Sequence, residues 1–165
     1  MNLEAQPVVI DVKGLSRVYG RGKKRIEAIQ NVSFEVRRGE IFGLIGPDGA
    51  GKTSIIQILA GVLRASRGSA SLSGIDVIAN PEAVKIQVGY MPQGLGVNLY
   101  ESLSVSENVG FFRDLRKLPE ETYRRNRNDL LNMTRLAPFV PRRAGNLSGG
   151  MRQKLALICT LLHLP

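Results

Sequence analysis

The stretch of sequence that decides the fold is GPDGAGKT, residues 46–53. It fits the pattern G-x-x-x-x-G-K-[ST] of a phosphate-binding loop, and it directly follows the apolar run IFGLI at 41–45. Beyond the loop, Ile55, Ile58 and Val62 fall on one helical face. Strand, glycine-rich loop and helix therefore follow one another, and this context favours a phosphate site over a plain glycine turn.

The loop is suited to the phosphates of a nucleotide. Backbone N–H groups of residues 48–53 can point into one concavity at the positive end of the following helix, which attracts anionic oxygens. Lys52 is placed to reach the β and γ phosphates, and the Thr53 hydroxyl can bind Mg²⁺. The expected ligand is a nucleoside triphosphate with Mg²⁺. The predicted contacts in this segment are Gly46, Pro47, Asp48, Gly49, Ala50, Gly51, Lys52, Thr53 and Ser54.

Composition narrows the class of protein. Lys and Arg outnumber Asp and Glu by 23 to 14, and the net charge of +9 suits an anionic partner such as a nucleotide, a nucleic acid or an acidic membrane surface. A solvated basic face is an equal alternative. The single cysteine, Cys159, excludes an intrachain disulfide and suits a reducing compartment. No stretch approaches eighteen uninterrupted apolar residues, so the chain is not expected to span a membrane.

Periodicity predicts the elements around the loop. Short apolar alternation at 8–12 and 32–36 indicates half-buried strands, and 41–45 has the pattern of a strand covered on both faces in a parallel sheet. Further short strands are predicted at 68–74 and 88–91. Ser104 and Glu107 have capping-box spacing, so a helix is expected to begin there and to end by Pro119, and two more are expected over 120–136 and 148–162.

A second motif, LSGGM at 147–151 followed by Arg-Gln-Lys, makes the assignment specific. Together with Gln93 after Gly-Tyr-Met-Pro, and Tyr19 placed before the loop, it resembles the nucleotide-binding domain of ABC-type ATPases, over nearly all of residues 8–165. The resemblance implies an α/β fold of the P-loop NTPase class, with a RecA-like core, a small antiparallel β subdomain and a helical subdomain. The predicted segments are 1–40 as the β subdomain, 41–93 as the P-loop core, 94–146 as the helical subdomain and 147–165 as the signature motif and helix.

The same resemblance implies roles for residues outside the loop. Tyr19 would stack on adenine, and Gln93 would contact Mg²⁺ or the attacking water, so that Gln93 and Lys52 are the predicted catalytic residues. Ser148, with Gly149 and Gly150, would form a second helix amino terminus that faces the γ phosphate held by an opposing domain. The plain alternatives are a buried strand tyrosine, a loop glutamine and an ordinary serine-capped helix.

Three residues that the family needs for hydrolysis are not found. No acidic residue after the loop ends an apolar run, as the Walker B aspartate and the catalytic glutamate behind it would, and the one histidine, His163, lies in the segment of the signature helix. The sequence therefore resembles the front part of such a domain, truncated before the Walker B strand. Residues 1–165 alone are expected to bind Mg-ATP weakly or not at all and not to hydrolyse it. Steady phosphate release abolished by Lys52→Ala would contradict this.

The leading functional hypothesis is an ATP-binding subunit of an ABC transporter, at the cytoplasmic face of the membrane, with a second nucleotide-binding domain and transmembrane subunits as partners. The segments 91–96 and 136–139 look similar to the first ATPase half of ABC-2-type exporters, some of which are described as ribosome-associated. The alternatives are a soluble or ribosome-associated ABC ATPase whose arginines between 113 and 143 contact RNA, and a non-catalytic fragment. A P-loop GTPase is disfavoured because the guanine-reading motif Asn-Lys-x-Asp does not occur.

Overall fold

The computed structural model describes residues 6–20, 22–94 and 98–164. The chain divides into two compact units, one up to Val88 and one from Gly89 onwards, and each is described by itself.

The first unit is built on an antiparallel sheet. Its strands are β1 (Val8–Tyr19), β2 (Ile26–Arg37), β3 (Arg67–Leu72) and β4 (Ile75–Asp76), in the order β2-β1-β3-β4. The strands predicted at 8–12, 32–36 and 68–74 are therefore confirmed, and the first two are longer than their apolar cores because polar residues continue the pairing beyond them.

Two helices complete the first unit. Helix α1 (Lys52–Leu59) follows the glycine-rich loop, and Ile55 and Ile58 of α1 pack with Val12 and Leu15 of β1 in one buried cluster. Val62 was predicted on the same face, but it is exposed because the helix ends at Leu59. Helix α2 (Pro81–Gln87) was not predicted; it begins after Asn80 with a proline in its first turn, which is the position a helix tolerates best.

Two predicted strands are not formed. Residues 41–45 and 88–91 have no regular secondary structure, and the side chains of Ile41 and Ile45 are 100% and 99% exposed. Among the described residues, no strand lies alongside either segment. An isolated strand leaves its N–H and C=O groups without partners and its apolar residues without cover, so apolar composition alone does not make one.

The second unit is helical. It contains α3 (Val105–Arg116), α4 (Glu120–Thr134) and α5 (Gly149–Leu161), with short 3-10 turns at Ala137–Phe139 and Ala144–Asn146. Helix α3 ends at Arg116, before Pro119 as predicted; Lys117 takes the left-handed conformation after it, and Pro119 is the N-cap residue of α4. The core of this unit contains Val105, Val109, Tyr123, Leu130, Leu131, Leu136, Ala144, Leu147, Leu155, Ile158, Cys159 and Leu162.

The amino termini of two of these helices are capped as the sequence predicts. Ser104 Oγ accepts a hydrogen bond from Glu107 N (3.1 Å), and Glu107 Oε2 accepts one from Ser104 N (2.7 Å), which completes a capping box at α3. Ser148 Oγ accepts one from Met151 N (3.3 Å) at α5. None of the helices in the described part of the chain is long and apolar enough to cross a membrane.

Candidate phosphate-binding site

The glycine-rich loop is shaped by a turn and two left-handed glycines. Ala50 N donates to Pro47 O (3.2 Å), while Gly49 and Gly51 have φ angles of 82° and 84°. Residues with a Cβ seldom adopt these angles, so the glycines are needed for the chain to reverse into α1. The predicted sequence pattern therefore has a direct conformational basis in this loop.

Gly51 also brings the loop close to the sheet. A Cβ on Gly51 would lie 2.1 Å from the carbonyl oxygen of Ala28 in β2 and 3.2 Å from the side chain of Ile29. Real Cβ atoms essentially never approach so closely, so any other residue would push the loop off the strand. The start of α1 can therefore pack directly against β2 because Gly51 has no side chain.

Lys52 lies over the loop that precedes it. Its Nζ donates to the carbonyl oxygens of Gly46 and Pro47, both at 2.7 Å. The ammonium is therefore held beside the first turn of α1, where the leading N–H groups have no partner within the helix. A positive charge beside helix-end N–H groups attracts anions, and the phosphate contact of Lys52 stays a prediction.

The loop also fits Mg²⁺ of the kind that accompanies a nucleotide. Thr53 is exposed in the first turn of α1, and its hydroxyl is a hard oxygen donor. No group of three or more His, Cys, Asp or Glu residues that could hold a metal ion occurs in the described ranges. Mg²⁺ is usually held by one or two protein oxygens together with substrate phosphates and water, so this donor set suits a nucleotide-borne ion.

Tyr19, at the end of β1, lies next to the loop. Its hydroxyl oxygen is 3.0 Å from Ser54 Oγ in the first turn of α1. The Arg17 guanidinium lies over the Tyr19 ring, 4.6 Å from the centroid. The fold therefore places an aromatic ring beside the phosphate-binding loop, although 35 residues separate Tyr19 from Ser54.

The remaining predicted site residues lie in the second unit. Gln93 is exposed and follows Pro92 in a segment without regular structure. Ser148 and Gly150 are exposed at the start of α5, Gly149 is half-buried, and a Cβ on Gly150 would meet nothing within 4 Å. Among the described residues, nothing covers Gly150 at the amino terminus of α5. The functional roles of Gln93, Ser148 and the loop residues stay predictions.

Two residues that contact or adjoin predicted site residues, Arg152 and Arg17, were not themselves predicted as site residues. Arg152, in the first turn of α5, pairs with Glu101 (Nη1 to Oε1, 3.1 Å), and Gly145 N donates to the Glu101 carbonyl oxygen (2.9 Å). No spacing rule indicates a contact across 51 residues. The contact of Arg17 with Tyr19 could have been predicted, because residues two apart on a strand lie on the same face of the sheet.

The only cysteine takes no part in this chemistry. Cys159 is buried in the core of the second unit, and desolvation raises the pKa of its thiol to about 12. A thiol with so high a pKa is not a nucleophile at neutral pH.

The chain matches known proteins over almost its whole length. A family described as ABC transporter matches residues 29–165. The "Probable multidrug ABC transporter ATP-binding protein YbhF" of Escherichia coli is 43% identical over 157 residues, which is 95% of this chain and 26% of that protein. The "Doxorubicin resistance ATP-binding protein DrrA" of Mycobacterium tuberculosis is 38% identical, over 96% of this chain and 46% of that protein.

Solved structures agree with this assignment. The structure described as "ATP binding subunit of ABC transporter" has a TM-score of 0.78 and 32% identity, and the match covers 95% of this chain and 63% of the other. A dimeric structure of the ATP-binding cassette MJ0796 has a TM-score of 0.80 at 24% identity, covers 94% of this chain and 70% of the other, and indicates the shared fold.

The chain therefore belongs to the ABC transporter family, and its fold is that of the P-loop ATP-binding domains of these proteins. It spans about a quarter of the E. coli relative and less than half of the mycobacterial one. These two relatives are named as multidrug and drug-resistance proteins, in line with the exporter resemblance, and neither name supports a ribosome partner.

Proposed function

We propose that this chain binds Mg-ATP, weakly when it is alone, and acts as an ATP-binding part of an ABC transporter of the exporter type. The observation that carries the proposal is the junction of β1 and α1: the Tyr19 ring, the Ser54 hydroxyl and the Lys52 ammonium surround the start of one helix. An aromatic face beside a phosphate cradle is the arrangement that a purine nucleotide requires.

Different residues would bind the phosphates, the Mg²⁺ ion and the base of the nucleotide. The N–H groups of the loop and the Lys52 ammonium would hold the β and γ phosphates, which requires Lys52 to leave the carbonyl oxygens of Gly46 and Pro47. Thr53 would supply one oxygen to Mg²⁺, and the ion would offset part of the negative charge of the nucleotide phosphates. Tyr19 would cover the base. Gln93 would contact Mg²⁺ or the attacking water.

A second nucleotide-binding domain would complete each site. The open amino terminus of α5, with Ser148 and Gly149, would receive the γ phosphate of nucleotide bound to the opposing copy. ATP would then join two domains head to tail, and transmembrane subunits would convert their closure into transport at the cytoplasmic face of the membrane. The multidrug and drug-resistance relatives support an exported substrate for this chain.

Binding of ATP by charge-matched variants tests the proposal. Lys52→Ala is expected to weaken Mg-ATP binding at least about tenfold, because a charge-assisted phosphate contact of about 1.5–3 kcal/mol is lost. Lys13→Ala, which removes an exposed lysine on β1, is the matched control and should bind ATP like the wild type. Isothermal titration calorimetry measures both. Equal affinity of the wild type and Lys52→Ala, or no binding by either, would rule out the proposed site.

A further inference from the structure

Arg17 covers one face of the ring that the proposed function assigns to the base. Arg17 and Tyr19 are two apart on β1, and the Arg17 guanidinium carbon lies 4.6 Å from the ring centroid. Arg17 Nη1 donates to the carbonyl oxygen of Arg64 (2.9 Å), whereas the buried Nε has no hydrogen-bond partner among the described residues. The hydrogen bond of Nη1 therefore holds the guanidinium in place, with its central carbon over the Tyr19 ring.

Tyr19 is thus held at two points. Arg17 lies over one ring face by a cation–π contact, and the hydroxyl lies 3.0 Å from Ser54 Oγ. A tyrosine at the end of a strand would otherwise be free to turn about two side-chain bonds. Fixing its plane before the ligand arrives removes an ordering cost from binding, and the base would stack on the ring face opposite Arg17.

We propose that Arg17 is a positioning residue that orients Tyr19 for stacking on the base of the bound nucleotide. This inference rests on the proposed ATP site. It assigns Arg17 to recognition of the base and not of the phosphates, since its guanidinium is engaged by the Tyr19 ring and the Arg64 carbonyl oxygen. Arg17 forms no ion pair in the part of the chain that the structure describes.

A purely structural role makes a different prediction. If Arg17 only tied β1 to the segment after α1 through the Arg64 carbonyl oxygen, its loss would loosen the loop and weaken every ligand equally. Inorganic triphosphate carries the phosphates of ATP without the base. Comparing ATP with triphosphate therefore separates base recognition from general stability.

The test measures the affinities of Mg-ATP and Mg-triphosphate by calorimetry for the wild type, Arg17→Gln and Arg17→Lys. Arg17→Gln should weaken ATP binding by about three- to tenfold, the range of a cation–π contact, and leave triphosphate binding unchanged. Arg17→Lys keeps the charge and should lie between the two. Arg67→Gln, at the exposed start of β3, is the matched control and should bind both ligands like the wild type.

Each alternative result of the calorimetry would contradict a different part of the proposal. Equal weakening of both ligands, unchanged ATP binding or tighter ATP binding by Arg17→Gln would overturn the role of Arg17. Equal affinity of the wild type for ATP and triphosphate would overturn the stacking on Tyr19, and no binding of either would overturn the proposed function itself.

A fluorescence measurement keeps the inference testable if Arg17→Gln unfolds. The chain has no tryptophan, so Tyr19→Trp supplies a single reporter at the stacking position. ATP should quench this fluorescence in the Tyr19→Trp protein, and adding Arg17→Lys should reduce the quenching at saturating ATP. Unchanged quenching would overturn the orienting role.

Discussion

At the scale of single residues, the buried amide of Asn108 in the second unit has hydrogen-bond partners at both its oxygen and its nitrogen. Its side chain is fully buried in α3; Oδ1 accepts a hydrogen bond from Tyr100 N (2.9 Å), and Nδ2 lies within 3.2 Å of the carbonyl oxygens of Tyr100, Leu103 and Ser104. One amide therefore pairs with the backbone of the loop before α3. The sequence predicts the helix but not this pairing, because an asparagine inside a helix carries no sign of what surrounds it.

Replacing the amide by a carboxyl group should therefore be costly and dependent on pH. Asn108→Asp places a second acceptor oxygen against three carbonyl oxygens, which raises the pKa of the buried carboxyl above the value of about 3.9 in the unfolded chain. We expect a loss of about 2–4 kcal/mol in the free energy of unfolding at pH 7, which shrinks as the pH falls through the raised pKa. Urea unfolding followed by circular dichroism measures this.

The exposed Asn132 on α4 offers the matched control for that substitution. Asn132→Asp makes the same chemical change where water can solvate the new charge, so its free energy of unfolding should stay within about 0.5 kcal/mol of the wild type. An equal effect of the two substitutions would contradict the assigned hydrogen bonds of Asn108.

At the scale of elements, the start of α3 depends on reciprocal hydrogen bonds between Ser104 and Glu107. The bonds from the Ser104 backbone and side chain lower the pKa of the Glu107 carboxyl below its usual range. A lowered pKa in the folded protein stabilises it at pH values above the unfolded pKa, and this stabilisation is lost as the pH falls through the folded value. The ionised Glu107 should therefore stabilise α3 at neutral pH, and this stabilisation should be lost in acid.

Glu107→Gln should accordingly lower the midpoint of thermal unfolding at pH 7, and the difference from the wild type should diminish below about pH 4. Differential scanning calorimetry between pH 7 and pH 3 gives the comparison. Glu121→Gln, in the first turn of α4, removes an exposed carboxylate from another helix start and is the control. A Glu107→Gln difference that stayed constant down to pH 3 would show that the capping bonds do not need the charged form.

Some elements could be predicted from the sequence and others could not, depending on whether their contacts are local. Ser104 and Ser148 cap helices as predicted because a cap is made by residues three positions apart. The strand predicted at 41–45 is not formed because a strand needs neighbours that no local pattern supplies. The contact between Tyr19 and Ser54 falls between these cases: periodicity does not indicate it, whereas the resemblance to a known family placed both residues near one nucleotide.

At the scale of the whole molecule, the chain offers one natural reporter of how a unit opens. Cys159 is the only cysteine; it is 2% exposed and packs in the helical core with Leu155 and Ile158. Burial raises the pKa of its thiol to about 12, so a thiol reagent at pH 8 reacts only after the core opens. The rate of labelling therefore measures the opening of the second unit without any added probe.

A cavity in that core should speed the labelling, with the logarithm of the rate rising in proportion to the stability lost. Leu155→Ala removes a fully buried side chain of α5 and should cost about 2–5 kcal/mol, which corresponds to at least about a tenfold faster reaction of Cys159 when opening is rapid and reversible. Leu157 lies on the same helix but is 40% exposed, so Leu157→Ala should change the rate little. Reaction with a chromogenic disulfide, followed by absorbance, compares the three proteins. Equal acceleration by both substitutions would mean that α5 opens by local fraying, and that the packing around Leu155 does not control access to Cys159.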